Sequence, residues 1–549
     1  MGCSLPLEKI IEKGAFMDKK SFARLYSFIR KQIPLIILLC LLGIVASACG
    51  VKFSLLSKNV VDTAVQGSDI LKPIIPLAVL LLVQLVLSIL HSVIYTVAYG
   101  KTLINMRSSI FKTVLRKDYL NISKFHSGEL VNRINGDCTI ICGAVFDIIP
   151  TLLSIAVKIV LGFITLYSLD KTMALFCLIL GPVILLAATV YRKRMKVLHK
   201  KARQYDGLLR SFMQESIRNL SVVKCFRAED GFTAHGEMYQ NKLYDVSVKR
   251  NMISILATLF YFVTMTSGYY IALAWGAYRL SLGLMSFGTL IAITDLVGQI
   301  TAPFKSLSSM LPQYYSMAAS MERLAEFDGI PSDKAEVTEL SSLESINIEN
   351  ISFSYEDSKV LDDFSLTVNR GEIIALCGES GIGKSTLLSL ITGVLHPQSG
   401  RVYAVTDKGE VDLNETTRSA FAYVPQNSML ISGTIAENIC FTKEPDMDKL
   451  LKCTEIACIK DFILSLPDGF DTVLGEEGGG LSGGQIQRLA IARALYYEAD
   501  VLLLDEATGA LDEDTEQKVM SNIRNSGITC IAVTHRSTAI NLCDKAYYI

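Results

Sequence analysis

Gly378-Glu379-Ser380-Gly381-Ile382-Gly383-Lys384-Ser385-Thr386 is a P-loop. Its glycines let the backbone curl around a phosphate with N–H groups turned inward. Lys384 brings positive charge to the outer phosphates, and the Ser385 hydroxyl suits magnesium. The motif needs a strand before it and a helix after it, and the sequence supplies both. Ile373–Cys377 reads as a buried strand and Leu387–Ile391 as helix. Downstream, Leu502-Leu503-Leu504-Asp505-Glu506 is an apolar strand ending in two carboxylates. Asp505 is placed to hold magnesium through water, and Glu506 to orient or deprotonate an attacking water. Further motifs lie around these. In Leu481-Ser482-Gly483-Gly484-Gln485, glycines precede a potential helix start, a second cradle for an anion, although such a run alone is also an ordinary turn.

The first half of the chain has a different texture. Half of the 549 residues are hydrophobic, and six stretches are apolar enough to cross a bilayer, which takes about 20 helical residues. They run over residues 34–51, 74–99, 140–168, 172–191, 253–279 and 285–303. The turns around Asp170-Lys171 and over Leu280–Leu284 are short enough only for tight hairpins. The segments 100–139 and 192–252 are long, polar and helix-forming. Arg30-Lys31, Arg192–Lys196 and Lys249-Arg250 flank apolar ends, which puts those sides and both termini in the cytoplasm. The expected location is therefore the plasma or inner membrane, as a multi-pass protein embedded in the lipid bilayer. The basic residues before the first apolar run extend too far for a signal-peptide n-region, and Pro6 spoils a myristoylation motif.

Composition also excludes classes. The net charge of −1 and the absence of a basic domain surface give no footprint for nucleic acid. The 13 cysteines lack paired CxxC spacing and read as small buried residues, not as zinc ligands or disulfides.

After Pro303 the sixth helix is expected to continue through Met321-Glu322-Arg323. A polar linker over 329–344 then separates residues 1–328 from a domain at 345–549. There, Ile373–Cys377, Val501–Leu504 and Thr529–Thr534 read as parallel strands ending at polar residues. The fold class is an all-α polytopic membrane domain followed by an α/β P-loop domain with ligands at its strand ends.

These motifs, in this order, resemble the ATP-binding cassette (ABC) transporter family, specifically its half-size exporters, over essentially the whole chain. Leu481–Gln485 matches the family signature, and Tyr355 stands where the family stacks an aromatic ring on adenine. Gln426, in Tyr423-Val424-Pro425-Gln426, matches the glutamine that links magnesium and γ-phosphate to the membrane domain. Ala510-Leu511-Asp512 matches the loop after the catalytic glutamate, and His535 the histidine that contacts γ-phosphate. Ser127-Gly128-Glu129-Leu130 through Arg133 to Asp137 is similar to the family's first intracellular loop. Gly509 departs from the pattern where many members carry Ser.

The resemblance implies ATP and Mg2+ as cofactors and Glu506 and His535 as catalytic residues. It implies magnesium at Ser385, Gln426 and Asp505. It also implies a head-to-tail partnership with a second half-transporter, identical or not, whose Ser482, Gly483, Gly484 and Gln485 face this chain's P-loop. Segments near Ile122–His126 and Glu229–His235 would pass motion to the helices in an alternating-access cycle. The expected cargo is a lipid, a peptide or an amphiphilic small molecule leaving the cytoplasm. An exporter-shaped importer of a metal chelate and an ATP-gated channel or regulator are the alternatives.

Two charges interrupt the apolar spans, Lys158 and Asp295, each about 15 Å from a helix end at 1.5 Å per residue. An unpaired charge in hydrocarbon costs about 2.5–3.5 kcal/mol, so both are expected to line a translocation cavity and to pair, within one chain or across a dimer.

Overall fold

The computed structural model describes residues 19–333, 336–340, 342–355, 358–379, 381–427, 430–441, 443–475 and 478–549. Side chains are not described at 19–22, 180–193, 196, 200, 305, 308–309 and 311. The chain divides into two compact units, one of Met1–Thr113 with Ser127–Gly329 and one of Val114–His126 with Ile330–Ile549.

The first unit is helical. Its long elements are α1 (Ile33–Val65), α2 (Leu71–Leu115), α3 (Cys138–Leu169), α4 (Lys171–Arg218), α5 (Glu229–Ser281), α6 (Phe287–Thr301) and α7 (Pro303–Ala325). Among the described residues, four helical stretches have the length and apolarity to cross a membrane: Ala23–Val65, Leu71–Leu115, Ser127–Leu169 and Glu229–Ser281. The apolar run 172–191 lies on α4, where most side chains are not described. The run 285–303 lies on α6, a shorter apolar helix of 15 residues, and α7 follows after a single helical residue, Ala302.

The hairpin turns are fixed by caps. Asp170 alone separates α3 from α4, and its carboxylate accepts from the N–H groups of Thr172 and Met173 at the start of α4. Ser286 caps α6 through the Thr289 N–H.

At its polar end this unit is tied by ion pairs. The Arg133 guanidinium, 7% exposed, bridges Glu129 at 2.7 Å and Glu326 at 2.6 Å, and donates to the Arg323 carbonyl at 2.8 Å. Arg323 in turn clamps Asp137, whose carboxylate is 3% exposed and also accepts from Ser320 at 2.9 Å. The stretch Ser127–Asp137 is thereby locked to the end of α7.

The second unit holds two large sheets and a short two-stranded pairing of Gly433–Thr434 with Val473–Leu474. The antiparallel one, ordered β2-β1-β4-β5, comprises β1 (Leu343–Tyr355), β2 (Ser358–Asn369), β4 (Ser399–Thr406) and β5 (Gly409–Asp412). The parallel one is ordered β9-β3-β8-β7-β6, with β3 (Ile373–Cys377), β6 (Phe421–Val424), β7 (Val501–Asp505), β8 (Thr529–Val533) and β9 (Lys545–Tyr548). Every residue of β3, β7 and β8 is buried, as expected for parallel strands covered on both faces.

Residues 114–126 belong to this unit even though most of their sequence neighbours do not. The Lys117 ammonium donates to the Ile330 carbonyl at 2.6 Å, the Asp118 N–H to the Pro331 carbonyl at 3.0 Å, and the Asp333 N–H to the Arg116 carbonyl at 2.9 Å. Leu120 packs against the core under β1, β3 and β7. The boundary expected from sequence placed all of 1–328 together. Backbone pairing with the linker is what draws this short segment across.

Candidate functional site

Because β3, β6, β7 and β8 are parallel, their C-terminal ends fall on one edge of the sheet. The P-loop, Gln426, Asp505-Glu506 and His535 all follow those ends, the usual address for ligands in an open α/β sheet.

The P-loop enters α8 (Lys384–Ile391) through Gly383, whose φ of +118° lies in the left-handed region. A Cβ there would stand 2.6 Å from a Val360 methyl carbon, so close approach as well as dihedral demands glycine. Lys384 is buried, and its ammonium donates to the carbonyls of Gly378 at 2.8 Å and Glu379 at 2.7 Å. The charge is thus already aimed at the loop's interior, where phosphate oxygens can replace those carbonyls. Gly381, Ile382 and Ser385 are exposed and Thr386 is buried. Ser380 lies outside the described residues.

Asp505 is 3% exposed, and its Oδ2 accepts from the Tyr423 hydroxyl at 3.0 Å. Burial, with that carboxylate alongside, pushes the tyrosine hydroxyl well above its ordinary pKa and keeps it a donor. Glu506 follows in a left-handed backbone conformation, φ +49°, which costs a non-glycine residue about 1–3 kcal/mol and recurs at functional positions. Its Oε2 accepts from the exposed Gln426 amide at 2.7 Å. His535 is exposed just beyond β8. Tyr355 ends β1, 40% exposed, its ring edge-on to Phe353 at 4.9 Å, which leaves a face for a planar guest.

Ser482-Gly483-Gly484-Gln485 starts α9 (Gly483–Tyr496) with a reciprocal cap. The Gln485 N–H donates to Ser482 Oγ at 3.3 Å, and the Ser482 N–H donates to Gln485 Oε1 at 2.8 Å. The next N–H groups, of Gly483 and Gly484, have no partner within their helix. A Cβ on Gly484 would come within 3.1 Å of the Ala510 carbonyl, so α9 can lie this close to the loop after Glu506 only with glycine.

Sequence reasoning missed the residues that tie these loops together. Gln487 accepts from the Ala510 N–H at 2.8 Å and donates to the Glu506 carbonyl at 3.4 Å. Arg536 donates to the carbonyls of Gly509 at 2.6 Å and Leu511 at 2.7 Å. Fully buried Glu516 accepts from Thr508 at 2.6 Å and Thr538 at 2.8 Å. None belongs to a short motif, so only the fold reveals them.

In the membrane unit, Asp295 is hydrogen-bonded to Ser54 and accepts from Gln299 at 2.9 Å. The expected pair with Lys158 is not formed within the chain among the described residues. α6 turns Asp295 toward Ser54 on α1, and Gln299, one turn on along α6 itself, supplies the second donor.

A P-loop with strand-end carboxylates, joined to apolar helices long enough for a bilayer, defines a membrane-bound ATPase. Residues 36–304 match the family of ABC transporter transmembrane regions, and residues 361–509 the ABC transporter cassette. The chain is 30% identical over 542 residues to the ATP-dependent lipid A-core flippase of Desulfotalea psychrophila, covering 95% of this chain and 93% of that one. It is 27% identical over 555 residues to a multidrug resistance ABC transporter ATP-binding and permease protein of Lactococcus lactis, covering 98% and 92%. Its fold matches the structure of a bacterial Atm1-family ABC exporter with ATP bound at a TM-score of 0.77, with 23% identity over 95% of this chain and 93% of that one. The chain belongs to the ABC transporter family. It is an ATP-hydrolysing half-transporter of the exporter type, in which a membrane region and a cassette are fused in one chain.

Proposed function

We propose that two copies, or this chain and a similar partner, clamp ATP between their cassettes and use the cycle to move a lipid, peptide or amphiphile out of the cytoplasm. The observation that carries this reading is the Gln426–Glu506 hydrogen bond at 2.7 Å, which places the candidate base beside the loop expected to sense the membrane helices. Glu506 takes the proton of the attacking water, and Lys384 and His535 hold the charge that develops on the γ-phosphate. Tyr355 stacks on the base, and the partner's signature loop presents the N–H groups of its Gly483 and Gly484 to the same phosphate.

The donors Ser385, Gln426 and Asp505 fit magnesium. They supply one carboxylate and neutral oxygens, leaving room for waters and phosphate, and no cluster of three acidic, His or Cys ligands competes among the described residues. The ion, when bound, neutralises phosphate charge. Tyr423 holds the Asp505 carboxylate in place for it.

The need for a partner is supported by an exposed apolar tip. The short helix Leu220–Cys225 joins α4 to α5 with Leu220, Val222 and neighbouring Ile217 exposed, and with Phe226 80% exposed. A second copy's cassette would cover it. This tip precedes the segment Glu229–His235 that sequence suggested for coupling.

The test uses inside-out vesicles loaded with candidate fluorescent lipids, peptides and amphiphiles. ATP-driven accumulation is the expected result, and ATP-driven depletion would assign import instead. In the same assay Asp295→Asn should cut substrate-stimulated turnover by about fivefold or more, because intramembrane charges are retained for pathways. Unchanged stimulation would remove Asp295 from the cavity.

A further inference from the structure

The apolar span Ser127–Leu169 contains a carboxylate that the sequence reading passed over, Asp147. It lies about 15 Å along the helix from Asp137, at ten residues of helical rise. The Tyr95 hydroxyl on α2 donates to its Oδ1 at 3.0 Å. Oδ2 takes no hydrogen bond, and no cation pairs with Asp147 among the described residues. Arg107, more than three turns along α2 from Tyr95, is engaged with Thr139 and the Asn135 carbonyl.

Aromatic rings surround this charge. Tyr95 stacks on Tyr99 at 5.8 Å with planes 9° apart, and both meet Phe146 edge-on at 6.3 Å. Phe146 is buried behind them, while Asp147 and both tyrosines are half-buried, so the assembly is open on one side. A phenol is a neutral donor and leaves the carboxylate's charge uncompensated in a medium of low dielectric. A positively charged guest supplies that compensation, and the negative faces of the tyrosine rings attract it further.

We propose that Asp147, Tyr95, Tyr99 and Phe146 form a recognition site for the cationic head of an amphiphile. The inference rests on the transport reading above and narrows its cargo. Since the attraction needs no donated proton, a fully substituted onium ion binds as well as an ammonium.

The test uses the full chain in phosphatidylcholine nanodiscs without nucleotide, with empty nanodiscs as background. Equilibrium dialysis measures tetraphenylphosphonium and its oppositely charged isostere tetraphenylborate. The protein should prefer the cation. Asp147→Asn, which keeps an acceptor for Tyr95, should weaken cation binding about tenfold, and Tyr99→Leu about threefold to tenfold. Basal ATP turnover should stay unchanged in both variants, which also reports an intact fold. Three results would each overturn the proposal: no preference for the cation, binding indifferent to both substitutions, or a loss caused instead by Asp295→Asn. Because binding is read without ATP, a failed ATPase or transport assay would strike the broader reading and leave this measurement standing.

Discussion

Glu506→Gln lowers steady-state ATP turnover by about two to four orders of magnitude while ATP binding persists, the range expected for loss of a general base. The substitution keeps the side chain's shape but cannot accept the water's proton. The backbone at Glu506 is held left-handed, and its N–H donates to the Val533 carbonyl at 3.1 Å. The amide therefore occupies the same place as the carboxylate. Lys384 and the P-loop are untouched, so nucleotide still loads and the cassettes should remain clamped. Phosphate release and filter-retained ATP, measured on protein in lipid, check both halves. Turnover within threefold of the unsubstituted chain would move the role of base elsewhere, with exposed His535 the next candidate.

Arg323→Ala destabilises the helical unit by about 2–4 kcal/mol. Removing one partner of a fully buried pair costs about 3–5 kcal/mol, and the 43% exposure of the Arg323 side chain lowers that figure. The loss strands Asp137, 3% exposed, with the Ser320 hydroxyl as its remaining donor. The melting temperature in detergent should fall by several degrees. Pairing the change with Asp137→Asn, which removes the stranded charge, should recover most of the loss. A single variant that melts with the unsubstituted protein would mean that water reaches Asp137 freely.

The legible parts of this chain were those where chemistry demands particular residues at fixed spacing. Gly383 and Lys384 are written into a backbone that must wrap phosphate, and β3, β7 and β8 into unbroken apolar runs. Ser482 and Gln485 were readable as a helix start for the same local reason. Tyr423, Gln487, Arg536 and Glu516 were not, because each acts on a residue brought close only by the sheet order. Asp147 escaped notice inside an apolar run, its partner Tyr95 lying 52 positions earlier. The separation that hides it also explains Asp295. Depth estimates from helix ends matched it with Lys158, whereas helix rotation gave it to Ser54 and Gln299.

The continuity of α2 has a mechanical consequence. It runs unbroken from Leu71 to Leu115, 45 residues or about 68 Å, and its final residues belong to the cassette unit. No proline interrupts it after Pro76. A stiff rod gripped at one tip magnifies rotation, so a tilt of about five degrees sweeps the far tip through about 6 Å over that length. Leverage alone makes a small rotation at one tip of such a rod a displacement at the other as wide as a lipid chain.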